Sequence, residues 1–207
     1  MPIKRINTYG DPRFSREAQA QHGCYLVDGA PCEVRIISAG AAVITGCPEA
    51  AIPALIEAFR FNAPHITRFL GGNGELLTQL PPVIPFPVAL ADVQPSQFFV
   101  DAEKLAAVRS FIHGPEDVTI PVIAHPTAPG RFISLDGHTR LLLASQQGWT
   151  HVRAVMDTAD DVLLAFAAEA ARRGVHTPAD MAVLPHAAYE LRWNAFCDAF
   201  IASLPDA

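Results

Sequence analysis

Asp136, Gly137, His138, Thr139 and Arg140 stand consecutively where a β-type run, "RFISL", gives way to a helical one, "LLLASQQGW". Their types suit an anion. A helix start leaves backbone N–H groups without intrahelical partners and carries a partial positive charge, so a phosphate or carboxylate fits there. Arg140 adds a planar guanidinium fork matched to bidentate phosphate contact. Thr139 adds a hydroxyl, and His138 a donor that becomes cationic near neutral pH. The same residues also allow a bland reading, in which Asp136 only caps the helix and Arg140 pairs with a neighbouring acid.

The elements that must hold these residues are well delimited. Phe132, Ile133 and Leu135 form a strand, and Gly137 permits a turn too sharp for a Cβ. Asp136 is the expected N-cap, accepting from the N–H of residue 138 or 139. Gly148 suits the left-handed C′ position, and Trp149 falls at C″, where it can pack back on Leu143 or Ala144. Upstream, "DAEKLAAVRSFIHG" reads as a helix with Asp101 as N-cap, Lys104 in its first turn and Gly114 as stop. "DVTIPVIAHP" and "VRAVMD" read as strands. The region thus follows a β-α-β-β-α-β order, a mixed α/β unit over residues 81–157.

Residues 1–80 read as a small β-meander plus helix. "CYLVDGAPCEVRIISAGAAVITG" gives three strands turned at Asp28-Gly29 and Ala39-Gly40. "PEAAIPALIEAFRFNAPHITRF" is mostly helical, with "GGNG" as a firm stop, and residues 1–20 look irregular. The four prolines of "LPPVIPFPVAL" make an extended connector. Residues 158–207 read as a helical C-terminal segment packing on the middle unit, its first helix starting at Asp160 or Asp161. The fold class expected is α+β. A meander with one helix is a common lid or dimerisation unit, so a homodimer is a candidate assembly.

Composition narrows the function classes. Apolar residues make up 50% and charged ones 17% of the 207 residues, which is globular rather than disordered. The net charge is −6, and Lys and Arg are scattered. Without a basic stripe, stable DNA binding by the chain alone is disfavoured. No apolar run reaches a membrane-spanning length, and "MPIKRINTYGDPRFS" lacks a secretory core, which points to a cytoplasmic protein. Cys24, Cys32, Cys47 and Cys197 form no CxxC pair, and across the Asp28-Gly29 hairpin Cys24 and Cys32 face opposite ways. They read as buried hydrophobes. His22, His65, His176 and His186 read as structural, Asp117 beside His113 as a surface loop, and Glu190, Arg192 and Trp193 as an ordinary helix face.

"LDGHTRLLLASQQGW", preceded by "QPSQFFVDAEKLAAVRSFI" and "TIPVIAH", resembles the ParB N-terminal-like (ParB/sulfiredoxin) superfamily over residues 88–157. Members carry a proline-containing leading segment, a helix, a strand and then a Gly-(Glu/His/Cys)-X-Arg corner opening a helix. The resemblance implies a nucleotide-phosphate site at Gly137, His138, Thr139 and Arg140, with Gln94, Ser96 and Gln97 lining the pocket. It further implies CTP, ATP or ADP as ligand, with Mg²⁺, and a carboxylate as base, for which Asp136, Glu116 and Asp117 are the candidates; Asp136 could instead hold the Mg²⁺. The corner is closest in style to the free-serine-kinase-like branch. Sulfinic acid reduction is disfavoured, because no Cys stands in the corner. A partition role is disfavoured, because the acidic-to-neutral tail shows no helix-turn-helix. What remains expected is a nucleotide- or phosphate-binding protein, with a small-molecule kinase and a DNA-associated regulator as alternatives.

Overall fold

A computed structural model describes residues 1–6, 9–159 and 161–204. The chain divides into two compact units, Met1–Ile84 and Pro85–Ala207. Helices and strands occur in both, and the fold is α+β with a C-terminal helix.

The first unit is one six-stranded sheet in chain order: β1 (Ile3–Arg5), β2 (Cys24–Val27), β3 (Ala30–Ser38), β4 (Ala41–Thr45), β5 (Arg68–Gly71) and β6 (Leu76–Gln79). The β2–β3 hairpin turns on Asp28 and Gly29, both at positive φ (50° and 84°), as a two-residue hairpin matched to strand twist requires. Cys32 lies opposite Tyr25 and joins Val34 in the main core, whereas Cys24 packs on the other face with Phe14 and Ala18. The two thiols therefore face opposite ways, as the alternation dictates. Burial pushes the Cys24 and Cys47 thiols up to about 12, which suits inert side chains.

Two sequence expectations change here. Residues 1–20 are not wholly irregular: β1 pairs with β2, and α1 (Arg16–Ala20) is capped by Ser15. The helical pattern ends at Arg60, ahead of Pro64, and not at "GGNG", which instead turns the β5–β6 hairpin. Helix α2 (Ile52–Arg60) is the crossover that makes β4 and β5 parallel, and it buries Leu55, Ile56 and Phe59 against the sheet. Strand β5 has four residues, and β4, one of its two partners, lies across that crossover, so its sequence carries little local signal.

The second unit is built on a five-stranded sheet with the order β7 (Phe86–Ala89), β12 (His151–Met156), β10 (Thr119–Ala124), β11 (Phe132–Ser134), β8 (Val93–Pro95). β10 runs parallel to β12 and antiparallel to β11, and β11 runs parallel to β8. Helices α3 (Ala102–Arg109) and α4 (His138–Gln146) pack on one another, and Leu105, Val108, Leu141, Leu142 and Leu143 enter the core. From α3 to β12 the order of strands and helices matches the sequence reading, but the single strand expected ahead of α3 is three short ones, β7, β8 and one more over Phe99–Asp101. Helix α3 ends at Ser110, before the Gly114 stop.

A short parallel pair, β9 (Phe99–Asp101) with β13 (Ala182–Leu184), was not expected from the sequence. It ties the chain after α5 (Asp161–Arg172) to the segment just ahead of α3. Asp160, the other expected start of α5, lies outside the described residues. The last helical stretch comprises α6 (His186–Tyr189), a π-helical turn (Glu190–Asn194) and α7 (Ala195–Ser203). Trp193 is not on an open helix face. It is buried, with its ring 4.8 Å from Phe98 and 5.9 Å from Phe166 between centroids. Arg173 lies over Phe98 at 4.3 Å and Arg192 over Phe99 at 4.7 Å, both within cation–π range.

Candidate functional site

The α4 start is built differently from the sequence expectation. The N-cap is Gly137, at φ +82°, and no side chain caps the helix. Gly137 is needed on two counts. Its φ is left-handed, and a Cβ there would stand 2.7 Å from Ile120 Cγ2 and 3.0 Å from an Arg140 guanidinium nitrogen. Asp136 therefore sits one residue too early to cap. Its carboxylate turns instead to Arg140, with Oδ2 3.4 Å from Nη2. Arg140 Nη1 also donates to the Thr119 carbonyl at 2.6 Å, which braces α4 against β10.

His138 is buried and does not become cationic near neutrality. Burial pushes its imidazole down to about 4, outweighing the Asp136 carboxylate, which acts the other way. Its Nε2 accepts the Ser96 N–H at 3.2 Å, which leaves the ring proton on Nδ1. The Ser96 hydroxyl lies 3.1 Å from the same nitrogen and donates to the Ser134 carbonyl at 2.8 Å. Thr139 is buried beside it. Ser96, Ser134 and the start of α4 thus form one polar knot. Two buried hydroxyls at its margins, Ser134 Oγ and Thr119 Oγ1, have no hydrogen-bond partner among the described residues.

Of the leading-segment residues, Ser96 alone bonds directly to the corner. Gln94 is buried, and its amide donates to the carbonyls of Pro95 at 2.9 Å and Val175 at 2.6 Å. That fastens the loop after α5. Gln97 donates to the Phe99 carbonyl and, at 3.2 Å, to the Tyr189 hydroxyl. Burial raises the Tyr189 phenol, and the carboxylates of Asp101 and Asp136 push the same way, so both acids lie within electrostatic reach of it.

Three residues that the sequence reading did not assign to the site belong to this neighbourhood. Lys104, half-buried in the first turn of α3, acts electrostatically on His138 and so brings a positive charge near the corner. Asp101, buried at the end of β9, caps α3 through Oδ1, which accepts the Glu103 N–H at 2.8 Å. Its Oδ2 lies 2.6 Å from His186 Nδ1. The Asp101 cap was expected, but His186, 85 positions away, was read as structural. Asp117, also weighed as a base, is bound into a backbone turn, and Asp180 repeats that turn. Asp117 Oδ2 accepts the N–H groups of His113 and Gly114, and Asp180 Oδ2 those of His176 and Thr177. These are two copies of a His-x-Pro-x-Asp turn, in which the aspartate serves the backbone.

Among the described residues no group of three or more His, Cys, Asp and Glu side chains could hold a metal ion. Asp136 is a single carboxylate, which fits a Mg²⁺ carried in with phosphate oxygens rather than one caged by protein ligands. No helix among the described residues is long and apolar enough to cross a membrane.

No family model matches the chain. No curated protein matches it either. Among solved structures the chain is similar to protein Atu1540 from Agrobacterium tumefaciens, at 20% identity and a TM-score of 0.29. That overlap covers 48% of this chain and 53%, about half, of the other.

Proposed function

We propose that the unit Pro85–Ala207 binds a nucleotide through its phosphates at the start of α4, in the manner of the ParB-like domains that its sequence resembles. The observation that carries this reading is the uncapped helix start. α4 is nine residues long, and its N-cap is a glycine that admits no side chain and so supplies no capping oxygen. Such an N-terminus suits an anion through its amides and its dipole together. Arg140 and Lys104 supply positive charge nearby, and Thr139 a hydroxyl. CTP, ATP and ADP are the ligands to try, each with Mg²⁺.

Calorimetric titration of the full chain tests the reading, with inorganic phosphate as a control ligand. Binding of at least one nucleotide, weakened about tenfold or more by Arg140→Ala, supports it. If none of the nucleotides binds, the corner is only a strand-to-helix joint.

Transfer of the phosphate to a small molecule is a second reading. It is favoured by the Asp136 carboxylate, part-exposed immediately before the amides and able to join a phosphate-bound Mg²⁺.

A further inference from the structure

We propose that Asp101, His186 and Glu190 form a proton-transfer site beside the α4 corner, which deprotonates a hydroxyl-bearing acceptor for phosphoryl transfer from a nucleoside triphosphate. This rests on the phosphate reading above and gives it a direction: the acceptor is an alcohol or water.

The geometry is that of an oriented imidazole. Asp101 is only 4% exposed and is fixed at both oxygens, one by the α3 cap and the other by His186 Nδ1 at 2.6 Å. A carboxylate on Nδ1 fixes the tautomer and leaves Nε2 as the atom that takes a proton. Nε2 lies 3.6 Å from Glu190 Oε1, and the Glu190 side chain is 58% exposed. Glu190 thereby gives the proton a route to water.

The pair is close to the corner. Tyr189, three residues after His186, takes a hydrogen bond from Gln97 and feels the charges of both Asp101 and Asp136. Asp136 directly precedes Gly137. Strand β9, which ends on Asp101, packs against both α4 and α6, so the oriented imidazole and the α4 helix share one neighbourhood. The backbone adds a second sign, since the π-helical turn starts at Glu190 and such turns are rare and frequent at functional sites.

The step balances as follows. The acceptor O–H gives its proton to His186 Nε2 while its oxygen forms a bond to the terminal phosphorus. The P–O bond to the nucleoside diphosphate breaks, and its electron pair stays on the departing phosphate oxygen. His186 then passes its proton to Glu190 and so to solvent. With water as acceptor the product is inorganic phosphate. His186 is a catalytic residue in this scheme and Asp101 a positioning residue.

The charged groups around His186 are Asp101, Glu103 and Glu190. The hydrogen bond from Asp101 comes first among the effects that lift the imidazole above its ordinary value of 6.5. The base works when neutral, so the rate climbs as pH rises through that lifted value.

The test is phosphate release from Mg·ATP by the full chain, with ATP affinity measured calorimetrically on the same samples. His186→Gln is expected to lower release about 100-fold at unchanged affinity. Asp101→Asn keeps an oxygen for the Glu103 N–H and so keeps the α3 cap. It should move the acidic limb of the rate profile to lower pH, which a purely structural role would not do. Binding without release by the wild type, equal release by His186→Gln, or an unmoved limb in Asp101→Asn overturns the proton-transfer site alone. Failure of the wild type to bind ATP, CTP or ADP overturns the phosphate reading beneath it.

Discussion

Helices α3 and α4 pack side by side in one unit and start in opposite ways. α3 begins on Asp101, whose carboxylate accepts the Glu103 N–H, so its first turn is closed by its own chain. α4 begins on Gly137 with no side-chain cap, although an aspartate stands one residue before it. Each start also has a histidine, and the two differ as well. His186 pairs with the capping acid of α3 and stays partly exposed, whereas His138 is buried and held neutral. The contrast shows that an acid near a helix start is not enough to close it. Its backbone must also place it at the cap. Where it does not, the dipole of the first turn stays open to a ligand.

The largest effect is expected where the open start depends on glycine. Gly137→Val puts a β-branched side chain at φ +82° and into Ile120. The left-handed backbone costs about 1–2 kcal/mol and the clash adds to it, for a total of about 3 kcal/mol in urea unfolding. A loss under about 1 kcal/mol would mean that the start can rebuild itself around a side chain, and the contrast with α3 would weaken.

His138 should show itself in the pH dependence of stability. Its folded value near 4 lies below the ordinary 6.5, so the unfolded chain takes up the proton first as pH falls. The stability associated with neutral His138 is whole above 6.5 and is lost as pH drops toward 4, by at most about 3 kcal/mol. His138→Gln can still accept the Ser96 N–H, and it should flatten this part of the curve relative to wild type. His186 has the opposite sign. Its lifted pKa gives stability that is complete below 6.5 and fades as pH rises through the folded value. Parallel curves for wild type and His138→Gln would remove the distinction between the two histidines.

What the sequence disclosed follows from what is local. The β2–β3 hairpin, the Asp101 cap and the order of strands and helices around α4 rest on residues a few positions apart, and their side-chain types specify them. At the helix end the sign was equally plain: the Trp149 N–H bonds back to the Ala144 carbonyl just after Gly148. The pairs that were missed are distant or very short. β13 has three residues and finds β9 only through the fold, and β5 meets β4 across α2. The Asp101–His186 contact joins residues 85 positions apart, so no spacing rule could announce it. The error at Asp136 was different in kind. The strand-to-helix corner lies where its residues place it, but the positive φ of Gly137 moves the cap by one residue, and a sequence does not display its dihedral angles.

Asp101→Ala should destabilise by about 2 kcal/mol, because it removes the α3 cap and leaves His186 without its buried partner. Chemical denaturation near pH 6 would read it, and a parallel measurement on His186→Ala would separate the cap from the pair. If the two variants cost the same, the cap contributes little and α3 is closed in name only.

Asp136→Ala is the sharpest test of the contrast because its expected effect is the smallest. As a helix cap Asp136 would be worth about 1 kcal/mol to stability. As the partner of Arg140 at i, i+4, with a separation of 3.4 Å and both side chains partly exposed, it should be worth about 0.5 kcal/mol or less. The loss should also shrink as salt is raised, since exposed charges are screened. Phosphate affinity is expected to move the other way from stability. Removing a negative charge beside the first-turn amides favours an incoming anion, so inorganic phosphate should bind Asp136→Ala somewhat more tightly than wild type when Mg²⁺ is absent. With Mg²⁺ present the carboxylate can share the metal with the phosphate oxygens, and the advantage should vanish or reverse. A salt-insensitive loss near 1 kcal/mol would restore Asp136 as the cap and close α4 as α3 is closed.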